Sequence, residues 1–300
     1  MIEYVKEYLK VNEVEFSEDY KLSLASPVRI GGAVRVAAYP SNETELVMLV
    51  GFLTKIGCKY KVLGRMSNVL FLDEGYCGVV IFTNKICEIT YSVGGVSAEA
   101  GSFLPKLSRL MAEDGICGFE ELSGIPGSVA ASVIGNAGAF GREMSDLVDS
   151  VRVYFPNEDR IEILTNYEIG FEYRNSKLKN ANCLLLSTLF KTKCGDVQVI
   201  KNRIRDFAKK RRDTQPTDKP SLGSVFKRPF NNESAGALID SCGLKGFSVG
   251  GAAISEKHAG FIVNLGNATA WDYLSVVEVA EAKVLNRFNV ILEKEIEIVI

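Results

Sequence analysis

Apolar and polar positions divide the chain into helical and extended stretches. Ile2, Val5 and Leu9 fall three and four apart and predict an opening amphipathic helix. Leu46, Leu49, Val50 and Leu53 share one face of a second helix, for which Asn42 and Glu45 offer a capping box. Leu104, Leu107 and Leu110 mark a third, and Val197, Ile200, Ile204 and Phe207 a fourth. A fifth runs from about Ala270 to Phe288, with Leu274, Val277, Val284 and Phe288 on one face. Tyr60–Leu63, the run Val79–Phe82 and Val96–Ala100 read as strands. Residues 1–83 therefore read as a small α/β unit and residues 84–212 as an α+β unit. The polar segment from Asp213 to Pro220 opens a third unit over residues 213–300.

Composition narrows the class. A chain of 300 residues, 47% hydrophobic and 24% charged, is long enough for two or three domains with cores of their own. The net charge of -2 gives no pull toward nucleic acid or an anionic membrane, and no apolar run has the ~18 residues of a spanning helix. The helix around Ile200 has a basic second face, including Lys201, Arg203, Arg205 and Arg212. Without interleaved aromatics it reads as a solvated helix entering a linker, in preference to a nucleic-acid patch. The first ten residues lack the basic-then-apolar order of a signal peptide, and the seven cysteines contain no C-x-x-C pair. A cytoplasmic protein with reduced thiols is expected, and no metal site, because His258 is the only histidine.

Five segments carry candidate chemistry. The turn Gly64-Arg65-Met66-Ser67-Asn68 follows a strand and offers backbone N–H groups and short polar side chains to a phosphate, or is an ordinary turn. The stretch Ser123–Gly141 is mostly Gly, Ala and Ser, which does not describe a core helix. It fits either backbone approaching a dinucleotide, through Gly124-Ile125-Pro126-Gly127-Ser128 and Asn136-Ala137-Gly138, or a packing seam. Arg174 offers a planar fork for a carboxylate or phosphate. Ser224 lies close to Lys227 and Arg228, cations able to hold a phosphate or acidify a hydroxyl; otherwise it is a strand-edge serine. Strand alternation puts Glu293, Glu295 and Glu297 on one face, solvent-facing unless one is buried and its pKa raised.

Together and in this order, these segments resemble the UDP-N-acetylenolpyruvoylglucosamine reductase (UDP-N-acetylmuramate dehydrogenase, MurB) family, shorter subclass. The resemblance runs from about Pro27 to the C-terminus, and is sharpest in Gly124-Ile-Pro-Gly127, Asn136-Ala-Gly138, Tyr173-Arg-Asn-Ser176, Gly223-Ser-Val-Phe-Lys227 and Ser255-Glu-Lys-His-Ala-Gly-Phe-Ile262. It implies an α+β fold: a two-part FAD-binding domain of the vanillyl-alcohol-oxidase type, from 1–83 and 84–212, and a substrate-binding domain over 213–300 whose final strand returns to the FAD domain. It implies non-covalent FAD, NADPH as hydride donor, a UDP-sugar substrate and a monomer. Flavin contacts fall to the two Gly-rich segments above, and substrate binding to Lys227 and Arg228. Arg174 and Glu295 would stabilise charge on the substrate carboxylate, and Ser224 would donate a proton. The sequence departs from the family at Met66, where a glycine is usual, at Ala130-Ala131, usually Gly-Gly, and at Gly135, usually Met. If position 66 needs φ > 0, methionine costs on the order of 1 kcal/mol. Rival readings are another FAD oxidoreductase of the same fold and a non-catalytic flavin- or sugar-nucleotide-binding paralogue.

Overall fold

The run Val79–Phe82 is apolar throughout because its strand is central. A computed structural model describes residues 1–92, 94–229 and 233–300. In it, Tyr76–Phe82 lies between Ala33–Tyr39 and Tyr60–Leu63 in a four-stranded sheet that Glu15–Lys21 completes. Both faces of a central strand are covered, so Val79, Val80 and Ile81 are fully buried. The helices Ile2–Val11 and Glu43–Lys55 supply Val5, Leu9, Leu46, Leu49 and Leu53 to the same core. Half of the expected capping box forms: Glu45 N–H donates to Asn42 Oδ1 (3.0 Å), whereas the Glu45 carboxylate accepts from Ser41 N–H (2.8 Å), one residue before the cap. A second, antiparallel sheet runs in the order Arg160–Thr165, Val148–Phe155, Leu184–Phe190, Gly95–Glu99, Ile89–Ser92. Leu104–Glu113 and a short helix, Val129–Ile134, pack on it.

The chain forms two compact units: residues 1–19, 35–65 and 77–209, and residues 20–34, 66–76 and 210–300. The second holds a four-stranded antiparallel sheet in the order Ser221–Ser224, Phe261–Asn264, Ala252–Ile254, Ser248–Val249. The helices Ala235–Ser241 and Ala270–Phe288 share its core. Residues 20–34 and 66–76 group here, apart from the rest of the expected first segment. Their Val28, Ile30, Leu70 and Leu72 fill the same core as Val225, Ile254 and Tyr273. The final strand Glu297–Val299 pairs in parallel with Val69–Phe71.

Three local readings change. The stretch 123–141 includes the helix Val129–Ile134, which Ser128 caps by accepting from Ala131 N–H (3.4 Å). On Val197–Thr214 Ile200 is buried, Ile204 and Phe207 are half-buried and Val197 is exposed, so the predicted apolar face is only partly covered. On Ala270–Phe288 the buried face is Tyr273, Val276, Val277, Ala280 and Val284, turned from the predicted one because Leu274 and Phe288 sit at its rim.

Candidate active site

In the first unit the fold presses one Gly-bearing turn against another. A Cβ on Gly64 would lie 2.2 Å from Ser128 Oγ and 2.6 Å from Ser128 Cβ. Glycine is required there for closeness. Arg65 stacks its guanidinium over Phe103, 4.8 Å from the ring centroid. Leu104 N–H donates to Gly127 O (3.1 Å), Ile125 N–H to Leu122 O (3.0 Å) and Ser123 Oγ to Glu120 O (2.7 Å). The loop is thus tied down along Leu122, Gly127 and Ser128, which are buried, while Gly124 and Pro126 are exposed and Ile125 is half-buried.

The second small-residue segment supports Arg174. Asn136 is buried, and its side chain is fully engaged within the protein: Nδ2 donates to Glu143 Oε2 and to Glu172 O (both 2.8 Å), and Oδ1 accepts from Ser145 N–H (3.0 Å). Arg174 Nη2 donates to Gly138 O (2.9 Å) and Nη1 to Asn136 O (3.5 Å), with Glu143 Oε1 at 3.7 Å. A Cβ on Gly138 would come within 3.1 Å of Arg174 Nη1, so Asn136-Ala137-Gly138 forms the close floor beneath the guanidinium. Arg174 itself has φ +53°, a left-handed conformation costing about 1–2 kcal/mol for a side-chain-bearing residue. Tyr173 lies beneath its charge, 5.0 Å from the ring centroid. A cavity of about 580 Å³ opens beside this loop, lined by Asn136, Glu143, Glu172, Tyr173, Tyr167 and Lys177 among others. Glu143 was absent from the expected set. Its only signal was the Phe140-Gly141 pair (φ +52° and +88°), a two-residue hairpin turn that folds Glu143 back opposite Gly138.

In the second unit a bulge places Ser224. Ser221 pairs with Val263 and Ser224 with Phe261, three steps against two, and Gly223 takes φ +82° to absorb the extra residue. Ser224 Oγ, half-buried, donates to Phe226 O (3.1 Å). Residues 225–227 run beside 293–295: Glu295 N–H donates to Val225 O (2.8 Å) and Lys227 N–H to Glu293 O (2.9 Å). The Lys227 ammonium pairs with the Glu293 carboxylate, and Arg228 is exposed. Among the three C-terminal carboxylates, Glu295 is half-buried while Glu293 and Glu297 are exposed, which the alternation alone left open. Asn68 Nδ2 donates to Glu295 O (2.9 Å), and Asn68 O accepts from Glu297 N–H (2.9 Å). Ser67 is half-buried, and Met66 is 3% exposed with φ +53°, so the left-handed condition at this position is met. His258 Nδ1 accepts from Gly260 N–H (3.0 Å), and burial holds its pKa below the ordinary imidazole value. Among the described residues no cluster of His, Cys, Asp and Glu is arranged to hold a metal, and no helix is long and apolar enough to cross a membrane.

Comparison with known proteins gives the class. The family model described as an FAD binding domain matches residues 34–163, and that of the C-terminal domain of UDP-N-acetylenolpyruvoylglucosamine reductase matches residues 215–299. Fold and matches define an FAD-binding oxidoreductase of α+β architecture, as expected. The chain is 40% identical to the UDP-N-acetylenolpyruvoylglucosamine reductase of Caldicellulosiruptor bescii over 97% of its own length and 93% of the relative's. It is 41% identical to that of Fervidobacterium nodosum over 90% and 87%. The crystal structure of the Thermus caldophilus enzyme superposes with a TM-score of 0.79 at 33% identity, covering 95% of this chain and 98% of that one. The chain belongs to the UDP-N-acetylenolpyruvoylglucosamine reductase family. The residues present fit a flavin dinucleotide: position 64 admits no side chain, and the 124–127 loop is braced from one side with Gly124 and Pro126 exposed on the other.

Proposed function

We propose that this protein reduces UDP-N-acetyl-3-O-(1-carboxyvinyl)-glucosamine to UDP-N-acetylmuramate for peptidoglycan synthesis, acting as a monomer in the cytoplasm. Near-full-length similarity to reductases of that name carries the reading. Bound FAD supplies the hydride chemistry, with NADPH as the source of reducing equivalents. In this reading Gly64, Arg65, Met66, Ser67 and Asn68 hold the cofactor together with Gly124–Ser128 and Asn136–Gly138, without a covalent link. Residues 213–300 bind substrate.

An enolpyruvyl ether is electron-rich, so its carboxylate must take up negative charge as the double bond is reduced. A prepositioned cation lowers that barrier. Arg174 suits the task, because its guanidinium is already fixed on two backbone carbonyls. Glu295 assists at the carboxylate as a hydrogen-bond donor when protonated. Ser224 donates the proton that completes the new C–H bond, and Lys227 and Arg228 bind the substrate's phosphates. Consumption of NADPH that depends on the enolpyruvyl substrate, with the lactyl ether identified by mass, tests the reading. Flavin loading without that consumption overturns it, and cofactor retained in an acid-precipitated pellet overturns non-covalent binding.

A further inference from the structure

Two adjacent glutamates directly before the 123–128 loop are removed from water. Glu120 is 1% exposed and Glu121 7%. A buried carboxylate stays ionised only against a cation or several donors. Glu120 accepts the Gly118 N–H, and one guanidinium reaches both carboxylates. Arg203, on the helix Val197–Thr214, places Nη1 3.4 Å from Glu120 Oε1 and donates from Nη2 to Glu121 Oε1. Among the described residues no other cation lies within ion-pair distance of either group, and no other charged or titratable side chain hydrogen-bonds to them. Glu121 Oε2 has no hydrogen-bond partner. Two buried charges therefore depend on one arginine, on a helix with only Ile200 buried and a ring stack of Phe207 on Phe140 as further anchor.

These glutamates are the stem of the loop. Glu120 O accepts from Ser123 Oγ, Leu122 is fully buried and accepts from Ile125 N–H, and Ser128 at the far end abuts Gly64. We propose that Arg203 is a positioning residue, whose charge keeps Glu120 and Glu121 in place and so sets the shape of the 123–128 loop for the flavin. The last step rests on the FAD reading above.

The test removes the charge and keeps the stem. Arg203→Met should bind FAD about tenfold more weakly than the parent at pH 8, a loss of about 1.4 kcal/mol. The deficit should shrink at acid pH, because a neutral carboxyl group needs no cation beside it. Adding Glu120→Gln and Glu121→Gln to Arg203→Met should restore FAD binding at pH 8. A loss that is the same at every pH and in both variants shows a packing role only and overturns the proposal. So does an Arg203→Met protein that binds FAD like the parent at pH 8. Should Arg203→Met fail to fold, the triple variant decides: flavin retention supports the clamp, and failure to fold overturns it. If the parent itself binds no FAD, the cofactor reading falls, and the pH dependence of thermal unfolding in the same variants still judges the carboxylate clamp.

Discussion

Met66 combines a strained backbone with a buried side chain, and the two effects can be separated. Its φ of +53° costs a side-chain-bearing residue about 1–2 kcal/mol relative to glycine. Its side chain, 3% exposed, contributes in the other direction, and truncating a buried methionine costs about 2–5 kcal/mol. Burial therefore outweighs strain, which explains how a methionine persists in a left-handed turn. Met66→Ala removes the side chain and keeps the strain, so it should destabilise by the full ~2–5 kcal/mol. Met66→Gly removes both, and should be more stable than Met66→Ala by roughly 0.5–1 kcal/mol, the strain relief of about 1–2 kcal/mol less the glycine's extra chain entropy of about 0.5–1 kcal/mol. That order reverses the usual one, in which alanine is the more stable. Equilibrium urea unfolding of the three proteins measures it through the midpoints at matched slope. An alanine variant more stable than the glycine variant by about 0.5–1 kcal/mol, the glycine's entropy cost alone, would show that the conformation carries no strain. Both variants matching the parent would show that the side chain adds nothing.

Gly64→Ala must displace Ser128, and should cost about 1–3 kcal/mol of stability and weaken flavin retention; adding Ser128→Gly should recover part of both, and no recovery would refute the contact. Ser224→Ala should leave flavin bleaching by NADPH near its normal rate and slow reoxidation by the enolpyruvyl substrate by ~10²–10⁴-fold, each half-reaction being followed by stopped-flow absorbance; equal slowing of both halves would assign Ser224 to binding instead. In the same assay Glu295→Gln should be milder than Glu295→Ala if the group donates a hydrogen bond, and equal losses would mean that it acts as a carboxylate. Burial depresses the His258 pKa, so the unfolded chain binds more protons than the folded one below the ordinary value of 6.5, and stability should fall as the pH drops through that region; His258→Gln should flatten this part of the stability–pH curve, and an unchanged slope would refute the assignment.

What was legible in the sequence was what has a short-range cause. The Asn42–Glu45 cap, the central strand around Val80 and the helix Ala270–Phe288 follow from neighbours within a few residues, and each forms. The family order of Gly124–Gly127, Tyr173-Arg174 and Gly223-Ser224 gave the class, because those segments keep both spacing and residue type. What stayed hidden depends on pairing at long range. Only the Phe140-Gly141 pair marks the turn that brings Glu143 back, and it does not announce that Asn136 and Arg174 wait there. Nothing near Glu120 announces a guanidinium 83 positions later in the chain. The segments 20–34 and 66–76 read as parts of the first fold unit because sequence proximity is the only guide before packing is known; their apolar side chains fill the second core instead. For the same reason the extent to which the apolar face of Val197–Thr214 is covered could not be read: Ile200 is buried, Ile204 and Phe207 are half-buried and Val197 is exposed. Periodicity records where a helix has a stripe, and only its surroundings decide whether that stripe is covered, so on one face Val197 stays exposed while Ile200 is buried and Phe207 stacks on Phe140.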